Sequence, residues 1–329
     1  MSSWSLLQRV ALALTALLAI TTTSVPALAE EYKFGTFRAF FHLPLWVAVD
    51  AGFFEREGVK PDLLFFSSGN EMTTAMLSQS IGFAGTMSDR PVVLLERGQK
   101  TKHLIALSTR SAFSIIARRD LTGPVGDMKA LRGKKLGITQ RGSSTDVAFR
   151  ILLREAALDP DRDVTLIPTG NQNAGIAALS ANQIDALILT EPGTSIAITQ
   201  GIAKMFFDLR PIEAYGAKLG FGTLQATESF IQQHPDGVKR VISAICKATK
   251  ALKGNPELGL KSAIRQYPKI EPNVLRAGLE ADLPTFGSVI TDDMILTVSR
   301  ANIEAKVIQR EYRFQDVVVG PEFTALWRC

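Results

Sequence analysis

The sequence predicts an α/β protein: two parallel-sheet modules in succession, with the C-terminal third returning to complete the first. Three observations predict it. Short apolar runs alternate with stretches whose apolar residues recur every three or four positions, the pattern of strands separated by covering helices. That alternation occurs twice, over about Tyr32–Gly85 and again over about Lys135–Leu189. The 329 residues also suffice for roughly two domains at about 150 residues each. With 46% hydrophobic and 21% charged residues, the composition is that of a globular chain and excludes dominant disorder.

The first segment is an export signal rather than part of the fold. Arg9 precedes the apolar run Val10 to Ile20, which falls well short of the ~20 residues needed to cross ~30 Å of hydrocarbon. The polar stretch Thr21–Ser24 follows, then Pro26-Ala27-Leu28-Ala29, with small residues at the first and third positions before a cut after Ala29. The mature chain is expected to begin at Glu30 with no cysteine for lipid attachment, and to work in the periplasm. Cleavage removes a single charge, Arg9, from the formal net charge of +5.

Along the mature chain, Tyr32–Phe37 alternates as a strand, and Leu45–Phe54 has helical spacing at Val47, Ala48, Ala51 and Phe54. Gly58 stops that helix. Lys60–Phe66 is a second strand, ending in Ser67-Ser68-Gly69-Asn70; a helix runs on to Leu77, and Ile81–Gly85 is a third strand. Two apolar runs, Leu104–Leu107 and Phe113–Ala117, read as strands that connect the modules. The second module repeats the order: strand Lys135–Thr139, helix Val147–Leu158, strand Asp163–Pro168, helix Gly175–Ala181 and strand Ile184–Leu189. Beyond about Thr223 the pattern turns mainly helical, at Val238–Leu252, Leu258–Gln266, Val274–Ala281 and Asp292–Gln309, with no sheet of its own. The resulting division is an export signal over 1–29, a first lobe over 30–115, a second lobe over 116–222, and a return to the first lobe with C-terminal helices over 223–329. Export permits a disulfide between Cys246 and Cys329, but one pair is no framework for a chain of this size. The expectation is a buried thiol and a frayed terminal one.

In open α/β sheets ligands bind beyond the carboxyl ends of the strands, where helix N-termini point. Those ends carry Arg38, Phe40 and His42; then Ser67–Asn70; then Thr86 and Met87; then Gln140–Thr145. The last group is the sharpest. Gly142 permits a tight turn, Ser143, Ser144 or Thr145 can cap the following helix, and exposed N–H groups beside Arg141 would receive an anion. Serving only as caps would equally account for the same hydroxyls, and that alternative stays open. Asn171 ends a later strand with an amide, and Glu191 either accepts from a ligand or merely starts a helix before Pro192. Catalysis has little support: the chain lacks a G-x-S-x-G elbow, an H-E-x-x-H pair and a phosphate loop. Two Cys and three His have no metal-ligand spacing, so no metal or cofactor is expected. The basic residues are dispersed, which disfavours nucleic acid.

Pro44–Ala48 followed by Gly52–Gly58 resembles the "PLYVA…GFFEKEGL" segment of periplasmic substrate-binding proteins that serve ABC importers, in the alkanesulfonate, nitrate and thiamine-pyrimidine group. Leu131–Ile138, Gly142–Thr145 and Gln183–Ala186 with Glu191-Pro192 resemble later segments of the same group. The resemblance implies a two-lobed type II periplasmic-binding-protein fold with a hinge and an interlobe ligand cleft. It carries cleft contacts over to Arg38, Phe40, His42, Ser68, Gly69, Asn70, Thr86, Ser143, Ser144, Thr145 and Glu191, to which the reading of the strand ends adds Met87, Arg141 and Asn171. Two segments depart from the pattern, Arg38–Phe41 and Ser88–Pro91, and both leave the ligand's identity open. The function implied is a monomeric, non-catalytic receptor delivering a small anionic or aromatic solute to a membrane permease. An enzyme on the same fold, pyrimidine-forming or decarboxylating, and a sensor for a signalling receptor are the alternatives.

Overall fold

The computed structural model describes residues 29–329. The export segment expected over 1–29 lies outside the described residues, Ala29 apart. The chain begins with β1 (Glu30–Thr36), α1 (Leu43–Asp50), α2 (Phe53–Arg56), β2 (Val59–Phe65), α3 (Gly69–Leu77), β3 (Phe83–Met87), α4 (Asp89–Glu96) and β4 (Thr101–Ala106). It continues with β5 (Phe113–Arg118), β6 (Lys135–Ile138), α5 (Ser144–Glu155), β7 (Thr165–Pro168), α6 (Gln172–Ser180), β8 (Ala186–Thr190), α7 (Gly193–Thr199), β9 (Ala203–Asp208) and α8 (Glu213–Lys218). The last part is β10 (Gly222–Thr227), α9 (Glu228–Gln233), α10 (Pro235–Gly254), α11 (Pro256–Gln266), α12 (Pro272–Asp282), α13 (Asp292–Glu304), α14 (Phe314–Val317) and α15 (Pro321–Thr324).

Two five-stranded sheets result, in the orders β2-β1-β3-β10-β4 and β7-β6-β8-β5-β9. In each, the first three strands are parallel, as the β-α-β rhythm requires, and the last two pairings are antiparallel. The fourth strand of each sheet, β10 or β5, arrives from the other lobe, so the chain crosses twice. The crossings are pinned side by side: Leu107 and Ser108 donate their N–H groups to the Gly222 carbonyl at 2.8 and 3.1 Å, and Gly222 N–H donates to Ser108 Oγ at 2.8 Å. Such a short double connection is a natural hinge. The first lobe's core gathers Phe34, Trp46, Phe54 and Phe83 beneath the buried stripe of α10, among them Val238, Ile242, Ile245 and Leu252. The second lobe packs Phe149, Leu152 and Ile188 together.

Three expectations are corrected. The helix expected over Leu45–Phe54 is two helices, because Gly52 takes a left-handed conformation (φ 70°) that ends the first. The region beyond Thr223, read as mainly helical with no sheet of its own, supplies a strand: β10, Gly-Thr-Leu-Gln-Ala-Thr, is buried along its whole length, its polar Thr223, Gln225 and Thr227 included. It begins on a glycine because any Cβ at Gly222 would lie 2.6 Å from the Phe41 ring. Cys246 and Cys329 form a disulfide with their Cα atoms 5.9 Å apart. The terminal residue is not frayed. Trp327 is buried and donates its indole N–H to the Leu104 carbonyl on β4 at 2.7 Å, which returns the chain end to α10.

Candidate functional site

The carboxyl ends of the parallel strands of both sheets open on one cavity of about 310 Å³ between the lobes. From the first lobe, β1 delivers Phe37, Arg38 and Phe41, β2 delivers Phe65–Gly69, and β3 delivers Thr86 and Met87. From the second, β6 delivers Thr139 and Ser143–Thr145, β7 delivers Asn171–Asn173, and β8 delivers Leu189 and Thr190. Ala39, Phe113 of β5, Tyr267 just past α11, and Arg90 on α4 complete the wall. Among the described residues lining the cavity there is no Asp, Glu, His, Lys or Cys.

Three helices begin at this cavity, each behind a capping side chain. Ser68 accepts from Glu71 N–H (3.3 Å), Ser143 from Asp146 N–H (3.4 Å) and Asn171 from Ala174 N–H (2.9 Å). The first N–H groups of a helix have no partner within it. The caps satisfy one each, leaving those of Gly69 and Asn70, Ser144 and Thr145, and Gln172 and Asn173, together with three positive dipole ends. Behind α5, the hydroxyls of Thr139, Ser143 and Thr145 lie 2.8–2.9 Å from one another. The Ser143 hydroxyl donates to the Gln140 carbonyl (2.7 Å), that of Thr139 donates to Ser143, and that of Thr145 donates back into the same cluster, which holds the loop before α5 in place.

Two cations border the site. Arg90 is buried, and its charge is met by Asp89 at 2.8 Å; it also donates across the cleft to the Gly142 carbonyl at 2.9 Å. The other oxygen of Asp89 accepts from the Ser144 hydroxyl at 2.7 Å, a second tie between the lobes. Arg38 sits exposed at the mouth, donating to the Gln266 carbonyl at 2.7 Å with its guanidinium 4.6 Å from the centre of the Phe65 ring.

Of the residues picked out from the sequence, Arg38, Ser68, Gly69, Thr86, Met87, Ser143, Ser144, Thr145 and Asn171 are brought together at the cavity. Five others are placed elsewhere, each for an identifiable reason. Phe40 turns into the first lobe's core, fully buried, with its N–H on the Glu191 carbonyl at 2.8 Å. His42 is sealed behind Phe37 and Phe41; its Nδ1 accepts from the Phe37 N–H (2.9 Å) and meets Thr36 Oγ1 (2.5 Å). Burial lowers its pKa to about 3, so it is neutral at working pH. Asn70 bridges the lobes, donating to Gln140 Oε1 at 3.0 Å. Arg141 points away and donates to the Leu166 carbonyl at 2.8 Å. Glu191 is buried against Arg210 (2.6 Å), which also meets Asp208 (2.8 Å) and Asp282 of the first lobe (3.4 Å). Burial and the Glu191 charge hold the Asp282 carboxyl well above the usual carboxylate range.

Sequence reasoning missed Arg90, although the departure at Ser88–Pro91 marked its segment, and the aromatic residues Phe37, Phe65, Phe66, Phe113 and Tyr267. A period-two or period-3.6 pattern reads such rings as core, so no local signal sets them apart.

The model of the NMT1-like family matches residues 27–264. The Bacillus subtilis protein YtlA, described as a binding protein, is 24% identical over 250 residues, covering 73% of this chain and 71% of that one. The 4-amino-5-hydroxymethyl-2-methylpyrimidine phosphate synthase of Schizosaccharomyces pombe is 24% identical over 226 residues, 66% of this chain and 63% of its own. In fold, the alkanesulfonate-binding protein SsuA of Xanthomonas axonopodis, solved bound to MOPS, superposes with a TM-score of 0.74 at 18% identity, over 89% of this chain and 99% of that one.

Proposed function

The chain belongs to the NMT1-like family, and from that premise we propose that it is an extracytoplasmic solute receptor of an ABC importer. It captures a small organic anion between its lobes as a monomer and presents the closed complex to the membrane permease. The observation that carries this reading is the cavity itself: three capped helix starts and no carboxylate in the wall. Oriented N–H groups and helix dipoles favour negative charge without a full cation. Each lobe supplies part of the donor set, so a bound anion favours the closed arrangement in which Asp89 meets Ser144 and Arg90 meets Gly142.

An enzymatic reading draws on the match to a pyrimidine phosphate synthase. It needs a general acid or base at the solute. The nearest imidazole, His42, is neutral and walled off, and the cavity wall supplies only hydroxyls, amides and guanidinium groups. One experiment separates the two. Protein purified from exporting cells is denatured, and the released small molecules are identified by mass spectrometry; the recovered solute is then incubated with fresh protein. The expected result is an organic acid in stoichiometric amount that returns unchanged. Absence of a bound organic anion, or its conversion to product, overturns the receptor reading.

A further inference from the structure

The anion cavity has a second character that the helix starts do not explain. Six of its lining residues are aromatic (Phe37, Phe41, Phe65, Phe66, Phe113 and Tyr267) in a chain that is 8% aromatic. They come from the ends of β1 and β2, from β5 of the second lobe and from the turn after α11, so no single packing need groups them. Nor are they all consumed by the core. Phe65 is 39% exposed, and Phe37, Phe66 and Tyr267 are half-buried. The Phe37 ring stacks on His42, 5.5 Å between centroids and 17° between planes, so what it offers the cavity is its other face and its edge. Phe65 carries the Arg38 guanidinium over its ring, which holds that side chain at the mouth. Partly exposed rings of the first lobe, facing the buried Phe113 ring of the second across one cavity, suit a flat π-system that stacks or meets them edge-on.

The charge balance sets a second condition. Arg90 is the buried cation in the wall, and Asp89 neutralises it at 2.8 Å while the Gly142 carbonyl takes another of its N–H groups. Arg38 is exposed and spends an N–H on the Gln266 carbonyl. What remains for the solute is partial positive charge from the helix starts, enough for one negative charge and poorly matched to two.

Taking as its basis the reading of the cavity as a solute-anion site, we propose that the solute is an aromatic monoanion. Its ring lies in the slot between Phe37, Phe65, Phe66 and Tyr267, and its carboxylate or sulfonate lies at the Ser143–Thr145 helix start. Aliphatic acids of equal charge lose the ring contacts, and aryl phosphates bring a second charge with no counter-charge to meet it.

The test is isothermal titration of the mature protein, dialysed exhaustively, at pH 7.5 with benzoate, benzenesulfonate, cyclohexanecarboxylate and phenyl phosphate. Benzoate or benzenesulfonate should bind at least tenfold more tightly than either of the other two. Phe65→Leu, at a partly exposed position where the fold does not depend on the ring, should shrink the preference for benzoate over cyclohexanecarboxylate by about threefold or more. Cyclohexanecarboxylate binding as tightly as benzoate overturns the ring assignment, and phenyl phosphate binding most tightly overturns the single-charge assignment. Failure of both aromatic monoanions to bind overturns the proposal altogether. The receptor reading falls separately, only when protein taken from exporting cells yields no organic anion or converts the one it holds.

Discussion

The disulfide between Cys246 on α10 and the terminal Cys329 closes a loop of 83 residues, and its contribution can be worked out before any measurement. In the chain-entropy account a closed loop of that length removes about 15 cal/mol/K from the unfolded ensemble, or about 4.5 kcal/mol at 25 °C. That figure is a ceiling, since disulfides more often contribute roughly 2–4 kcal/mol. Unfolding entropy near 2.1 cal/mol/K per residue gives about 0.63 kcal/mol/K for a mature chain of about 300 residues. Reduction should therefore lower Tm by about 3–7 °C. The perturbation is a thiol reductant on the native protein, with Cys329→Ser as the genetic equivalent, and the assay is scanning calorimetry with intact mass confirming the thiol state. Both cysteines lie in the first lobe with β4, α10 and Trp327, so if the lobes melt separately only the first lobe's transition should move. Oxidised and reduced proteins melting within 1 °C of one another would refute the reasoning, because the tail would then be held by Trp327 packing alone.

Three further predictions follow from side chains whose partners the structure places. Arg141→Ala should change the affinity for benzoate by less than twofold, because that guanidinium is spent on the Leu166 carbonyl, whereas Ser143→Ala should remove the α5 cap and cost about 1 kcal/mol of stability in denaturant titration. A tenfold loss in Arg141→Ala would put that residue back at the ligand. Asp282 has its carboxyl raised by burial and by Glu191, so its protonated form is the one the fold favours. The stability it contributes is complete below the ordinary carboxylate range and declines as pH rises towards the raised value. Asp282→Asn should therefore match the wild type at pH 4 and exceed it at pH 8, read as the urea midpoint; a variant less stable at pH 8 would mean that the ionised carboxylate pairs productively with Arg210.

What the sequence made readable, and what it hid, divides along one physical line. Strand ends, the cap at Ser143 and the β-α alternation follow from rules that act over a few residues, and most of the elements expected from them agree with the structure to within a few positions. Strand β10 was missed although Thr223–Thr227 alternates polar and apolar residues: it is short, its Thr and Gln read as a polar connection, and its neighbours β3 and β4 lie more than a hundred residues earlier. Cys329 was misjudged for the same reason: 83 residues separate it from its partner, and only the docking of Trp327 brings the two together. The cavity's cation is the most instructive case. Arg141 stands next to the helix start in sequence and looked like its charge. Arg90, about fifty positions earlier and on the other lobe, is the guanidinium that reaches the same loop, with Asp89 beside it bonding Ser144. Neighbours in sequence share a backbone direction, not a side-chain direction; Arg141 turns out towards β7 while its own carbonyl faces Asn70. In a cleft assembled from two lobes, then, which cation reaches the motif's loop is decided by the closure and not by the segment that carries the motif. In the reading proposed above, the family-like Ser143–Thr145 start offers donors that suit any small anion, while the rings of Phe37, Phe65, Phe66 and Tyr267, which no local pattern singles out, narrow the class of solute.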